Sequence, residues 1–217
     1  MNKDFNLRFI AKIMGGLLLI EGILISSGAL VSFIYKENDW LYFLISSVIC
    51  LSLGAISFLI GRNTPPVIGR KEGFITVTLV WIIFSLFGLL PFWLSRSIPS
   101  FTDAFFETMS GFTTTGASIL NDIESLSHGM LFWRSFIQWI GGLGIIVFSL
   151  VLLPIFGFSG VQLFAAEVSG PTKDKIHPKT AETAKRILGI YFALTLAQTI
   201  FLRIAGMTWF DAINHSF

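Results

Sequence analysis

Five long apolar runs, each bounded by charged or turn-forming residues, set the plan of this 217-residue chain. They extend from about Phe9 to Ile34, Leu41 to Ile60, Phe74 to Leu94, Leu131 to Phe158 and Ala184 to Ile204. A helix needs about 20 apolar residues to cross a hydrocarbon core of about 30 Å, and every run reaches that length. The pattern therefore predicts five transmembrane helices. Small residues Ser26, Ser27, Gly28 and Ala29 follow the first apolar stretch as they would in a cleavable signal. The run nevertheless continues through Val31 and Phe33, so this helix is read as retained.

Between the third and fourth runs lies FTDAFFETMSGFTTTGASILN, Phe101 to Asn121, too polar to span. Ser100 is a fitting N-cap with Asp103 three residues on, and Gly111 is placed to end the helix. About ten residues at 1.5 Å rise cover roughly 15 Å, so such a helix enters a bilayer without crossing it. Non-helical backbone at membrane depth is tolerated only where it is buried in protein or lines a water-filled cavity. Thr113, Thr114, Thr115, Gly116 and Ala117 follow the helix and read as a pore lining. Carbonyls of an extended loop, with a threonine hydroxyl below them, can replace the hydration shell of a cation, and Gly116 permits the backbone angles that turn them inward. The helix also directs its partly negative C-terminal end at the same place. Taken alone, Thr-Thr-Thr-Gly is equally an external turn; the short helix and the flanking spans favour the pore.

Composition agrees with a membrane protein: 53% of residues are hydrophobic, 13% are charged and the mean hydropathy is +0.77. A net charge of +2 gives no footprint for nucleic acid, and the single cysteine, Cys50, excludes a disulfide framework or a CxxC site. His128, His177 and His215 lie in separate loops without zinc-ligand spacing. The distribution of charge matters more than its sum. Lys3, Arg8 and Lys12 lie before or at the start of the first run; Arg62, Arg70 and Lys71 separate the second from the third; Lys173, Lys175, Lys179, Lys185 and Arg186 lie between the fourth and the start of the fifth. The alternate side has only Lys36, Arg96, Arg134 and Arg203. The positive-inside rule then places the N-terminus in the cytoplasm and the Thr-Thr-Thr-Gly loop outside. Trp40, Trp93, Trp133 and Trp209 fall at the outer helix ends, where an interfacial aromatic belt is expected.

An internal repeat is also legible: Phe101-Thr102-Asp103-Ala104-Phe105 recurs as Trp209-Phe210-Asp211-Ala212-Ile213, each copy after an apolar run. Four or five matching residues also arise by chance. The second copy reaches Phe217 before any filter-like segment, so the chain reads as cut within a second pore loop. Glu21, near the middle of the first run, is a functional candidate by default, against which stands a carboxyl packed beside Gly22 and Ser26 in a helix interface. Gln138, Gly141, Gly142 and Gly144 let the fourth helix approach the loop, either as a gate or as plain packing, while Pro154 and Gly157 allow a kink or stop. Gln198 reads as interhelical glue.

FTDAFFETMSGFTTTGAS, then LFWRSFIQWIGGLGIIVFSLVLLP and AEVSGPTKDKIHPKTAETAK, resemble the potassium-uptake subunits of the Trk/Ktr/HKT superfamily over essentially the whole chain. The resemblance implies an all-α polytopic membrane protein. Its helix–pore loop–helix repeats would be of the potassium-channel type, preceded by two extra N-terminal transmembrane helices. Residues 1–72 would hold that pair, 73–160 the first pore repeat, 161–183 a cytoplasmic loop and 184–217 the start of a second repeat. By the same resemblance the transported ion is K+, held by filter carbonyls of Thr114, Thr115 and Gly116 with Thr113 and Ala117 flanking, and no organic cofactor is needed. The expected setting is the bacterial inner membrane, in contact with lipid, as a homodimer with a cytosolic ring protein of TrkA type. The basic segment Lys173 to Arg186 is either a contact for that ring or a topogenic charge cluster. One alternative is a truncated, non-conducting membrane fragment that needs further repeats or another chain. An intramembrane enzyme finds no support, since no serine–histidine pair and no paired aspartates fall at matching depth.

Overall fold

The computed structural model describes residues 6–64, 70–155 and 177–217. Among them the chain is helical, without strands. The helices are α1 (Leu7–Ile34), α2 (Trp40–Gly61), α3 (Arg70–Gly88), α4 (Leu90–Leu94), α5 (Phe101–Phe112), α6 (His128–Ile155), α7 (His177–Ile204) and α8 (Trp209–Ser216). Four stretches of the described residues are long and apolar enough to cross a membrane: Leu7–Ile34, Trp40–Gly61, Gly73–Leu94 and Lys185–Ile204. The expected span 131–158 coincides with α6 as far as Ile155; residues 156–158, with Gly157, lie outside the described residues. So does most of the expected inner loop, 161–176. The chain divides into two compact units, residues 1–141 with Phe217 and residues 142–216.

In the first unit α1 and α2 form a close antiparallel hairpin. Gly15 faces the Phe58 backbone, where a Cβ would force the helices apart, and Gly54 faces the backbone of Leu19, where a Cβ would be tight. Close approach through small residues, with hydroxyls bonding across, is the usual way helices associate where lipid offers no hydrophobic drive. Here the Ser47 hydroxyl donates to the Gly22 carbonyl at 2.6 Å and the Cys50 thiol to the Leu18 carbonyl at 3.2 Å. Glu21 lies in this interface, 1% exposed. Its Oε2 is 4.0 Å from Cys50 Sγ, while Oε1 has no hydrogen-bond partner among the described residues. The expected neighbour Ser26 is not its partner, because that hydroxyl turns back to the Ile23 carbonyl.

The third apolar run is not one uninterrupted helix. It breaks at Leu89 between α3 and α4, with Pro91 in the first turn of α4. Proline supplies no N–H, so the i→i−4 ladder lacks the donor for the Phe87 carbonyl, and one position on the Gly88 carbonyl accepts from the indole Nε1–H of Trp133 at 2.9 Å. Trp133 is thus fully buried, in a core with Phe43, Leu89, Phe92, Phe112 and Ile137. This corrects the expectation of four belt tryptophans. Trp40, Trp93 and Trp209 are exposed, but Trp133 is a core residue. The start of α6 is held from the α1–α2 turn: Glu37 accepts from the His128 and Gly129 backbone N–H groups at 2.9 and 3.2 Å and contacts His128 Nδ1 at 2.8 Å. Ser127 bonds Asp39 beside it.

The second unit contains α7, a turn and α8. Its local structure repeats that of α5. Ser100 Oγ accepts from the Asp103 N–H at 3.3 Å, and Thr208 Oγ1 from the Asp211 N–H at 3.1 Å. Ala104 and Ala212 are both fully buried. The Thr108 hydroxyl donates to the Ala104 carbonyl at 2.5 Å and the Ser216 hydroxyl to the Ala212 carbonyl at 2.6 Å. The sequence recurrence is therefore a recurrence of cap, buried face and back-bond together. Gln198 Nε2 donates to the His215 carbonyl at 3.4 Å, joining α7 to α8 as expected of a tethering amide.

Candidate functional site

The site is built on the C-terminal end of α5. The helix has 12 residues, about 18 Å at 1.5 Å per residue, too short to span. It does not stop at Gly111. Phe112 is still helical, Thr113 is the C-cap and Thr114 takes the left-handed conformation at φ +57°. The Thr115 N–H reaches back to the Ser110 carbonyl at 2.9 Å and the Thr114 N–H to the Gly111 carbonyl at 2.9 Å. That pair of bonds is the Schellman closure, in which the left-handed position is normally glycine. Here a β-branched residue occupies it, a conformation costing of order 1–2 kcal/mol and typical of functional sites when the surroundings enforce it. Gly111 has a different role from the one expected: a Cβ there would come within 2.8 Å of the Ile137 side chain of α6. The reason α5 overruns it is that its closing bonds are made by the threonines beyond.

The loop divides its polar groups by kind. Every N–H from Thr113 to Gly116 is turned back to the helix end, onto the carbonyls of Met109, Gly111 and Ser110. Among the described residues, no hydrogen bond is accepted by the carbonyls of Thr113, Thr114, Thr115 or Gly116. Donors are occupied and acceptors are free, the arrangement that suits a cation and not an anion. Gly116 sits at φ +73°, and a Cβ added there would meet nothing within 4 Å, so its requirement is the backbone angle and not space. The Thr113 hydroxyl bonds the Met109 carbonyl and lies 2.8 Å from the Thr115 hydroxyl. Ala117 marks the limit of the free set, since its carbonyl accepts from the Ser110 hydroxyl at 2.6 Å.

Two residues that the sequence pattern does not single out brace this loop. Glu107, on α5 and only 3% exposed, accepts from the Arg134 Nε–H of α6 at 2.6 Å. The same carboxylate accepts from the Ser118 hydroxyl at 3.0 Å and from the Ile119 N–H at 3.0 Å. The signal available was a charge on the inward face of a short helix and an arginine inside an otherwise apolar run. One turn beyond Arg134, Gln138 lines a small cleft with Gly116 and Ala117. At Gly141 the helix passes so close to the Phe112 carbonyl that no Cβ fits. Among the described residues no cluster of His, Cys, Asp or Glu could hold a metal ion.

The sequence model of the TrkH family, described as cation transport protein, matches residues 41–217. The chain belongs to the TrkH family. It is 44% identical over 97% of its length to the Trk system potassium uptake protein TrkH of Salmonella typhimurium, and 34% identical over 97% to TrkG of Escherichia coli K12. In each case it spans 44% of the relative's length. The crystal structure of the potassium transporter TrkH from Vibrio parahaemolyticus superposes with a TM-score of 0.82 at 36% identity, covering 98% of this chain and 42% of that one. The fold is accordingly that of an all-α polytopic membrane protein of helix–pore–helix type, and the family is one of transporters and not of enzymes. These likenesses do not favour the reading of a non-conducting fragment.

Proposed function

We propose that this TrkH-family chain supplies part of a potassium-selective pore for uptake across the bacterial inner membrane. The observation that carries the proposal is the run of four free carbonyls, Thr113 to Gly116, at the negative end of a half-length helix. K+ loses its water to the carbonyls of Thr114, Thr115 and Gly116, with Thr113 below them, and the ring of oxygens is completed by corresponding loops elsewhere in the pore. Residues 73–160 form the first pore repeat after an N-terminal helix pair in 1–72, the basic segment from 161 to the start of α7 at His177 lies on the cytoplasmic side, and α7 with α8 opens a second repeat. The N-terminus is cytoplasmic, a reading supported by the basic residues between the spans. The assembly is a homodimer that meets a cytosolic ring protein of TrkA type, for which Lys173 to Arg186 offers basic contacts.

The test is growth of a potassium-uptake-deficient bacterial strain on low potassium, with rubidium uptake as the direct readout. The protein expressed from its complete coding sequence restores both, and Gly116→Ser reduces discrimination against sodium. Restoration that is indifferent to substitution at Thr114 and Gly116 would remove the filter from this loop.

A further inference from the structure

The outer limb of the loop, Ala117 to Ile119, leaves the free carbonyls and must return to the surface along a fixed line if they are to keep their spacing. Its last two residues are anchored by one side chain. Glu107 holds the Ser118 hydroxyl and the Ile119 N–H, and is itself held by Arg134 from the neighbouring helix. We propose that the Glu107–Arg134 pair is a specificity-determining positioning unit, which sets K+ over Na+ discrimination by fixing the loop from behind. The proposal rests on the reading of Thr113 to Gly116 as a filter.

Two physical effects operate through this pair. The first is geometric. Glu107 bonds Ser118 and Ile119 while the Ser110 hydroxyl bonds the Ala117 carbonyl, so three consecutive residues after the filter are tied to α5. Charged hydrogen bonds in a site largely removed from water are the strong ones, and the carboxylate is buried while the Arg134 side chain is 22% exposed. The second is electrostatic. Arg134 and the loop's Gly116 line the same cleft, so an uncompensated guanidinium would repel the ion the carbonyls are arranged to receive. Glu107 cancels that charge where it stands. A residue touching the ion is not required; the pair acts through the backbone it holds.

Glu107→Gln keeps the arm length but removes the charge, Arg134→Lys keeps the charge but removes the planar Nε–H donor, and Ser118→Ala removes one tie at an exposed position. Each is expressed from the complete coding sequence in uptake-deficient cells, and membrane abundance, rubidium KM, maximal rate and the sodium concentration that halves uptake are measured. Glu107→Gln and Arg134→Lys are expected to weaken discrimination against sodium by about tenfold at comparable abundance, the loss of one charged hydrogen bond. Ser118→Ala is expected to produce a smaller change of the same sign. In the double variant Glu107→Gln/Arg134→Lys the effects are less than multiplicative, because both residues belong to one unit. A fall in abundance or maximal rate with unchanged sodium competition would make the pair merely structural and overturn the proposal. If Glu107→Gln does not reach the membrane, Arg134→Lys and Ser118→Ala decide by the same criterion. Gly116→Ser run in parallel separates the two ideas: unaltered selectivity there removes the filter reading, whereas altered selectivity there with none in the Glu107 series removes only the positioning role.

Discussion

Gly141→Ala tests most directly how the long helix supports the loop. A Cβ at position 141 falls against the main-chain carbonyl of Phe112, and the atoms beside it are also Phe112 backbone. Backbone cannot swing aside as a side chain does, so α6 has to move away from the end of α5 or the end of α5 has to deform. Inserting a methyl group into a tightly filled contact costs about 1–3 kcal/mol. The melting temperature of Gly141→Ala is therefore expected to fall. Gly189→Ala is the internal control: no atom lies within 4 Å of its Cβ position, and replacing a helical glycine by alanine gains roughly 0.5–1 kcal/mol. The assay is thermal unfolding of the detergent-solubilised protein, followed by sodium competition of rubidium uptake. Phe112 immediately precedes Thr113, so a backbone displacement there reaches the filter within one residue, and selectivity falls with stability. An unchanged melting temperature together with unchanged sodium competition in Gly141→Ala would refute the close-contact reasoning.

Other substitutions probe separate links. Gly116→Ser meets open space, so its cost is the backbone angle, about 1–2 kcal/mol, and it should lower potassium-over-sodium discrimination in the competition assay without lowering abundance. Glu21→Gln should leave rubidium uptake nearly intact, since neither carboxyl oxygen makes a short hydrogen bond among the described residues; a large loss would assign Glu21 a part in transport. Trp133→Phe leaves the Gly88 carbonyl unpaired in the core, a loss of about 1–3 kcal/mol that a lowered melting temperature would register; no change would mean that water or Phe92 replaces the bond.

What could be read from the sequence was local. Runs of twenty apolar residues name the spans, Ser100 and Asp103 name the start of the short helix, and Thr113 to Gly116 stand out as polar backbone with no helix to satisfy it. Each of those signals is complete within one stretch of chain, and so is the repeat at Trp209, whose cap and back-bond reproduce those of α5. The tertiary structure decided everything that depends on a neighbour. Trp133 and Trp93 both lie at the ends of apolar runs, yet one fills the core and the other is exposed. Hydropathy cannot separate them because lipid and protein interior are equally apolar. Gly111 resembles a helix stop but serves the contact with Ile137, since the closing bonds come from Thr114 and Thr115. Glu107 and Arg134 stand 27 positions apart, and each alone is an isolated charge in an apolar setting. Only the crossing of α5 and α6 makes them a pair, because a buried charge is tolerated where a partner and further hydrogen bonds meet it, and that meeting is a property of three-dimensional packing.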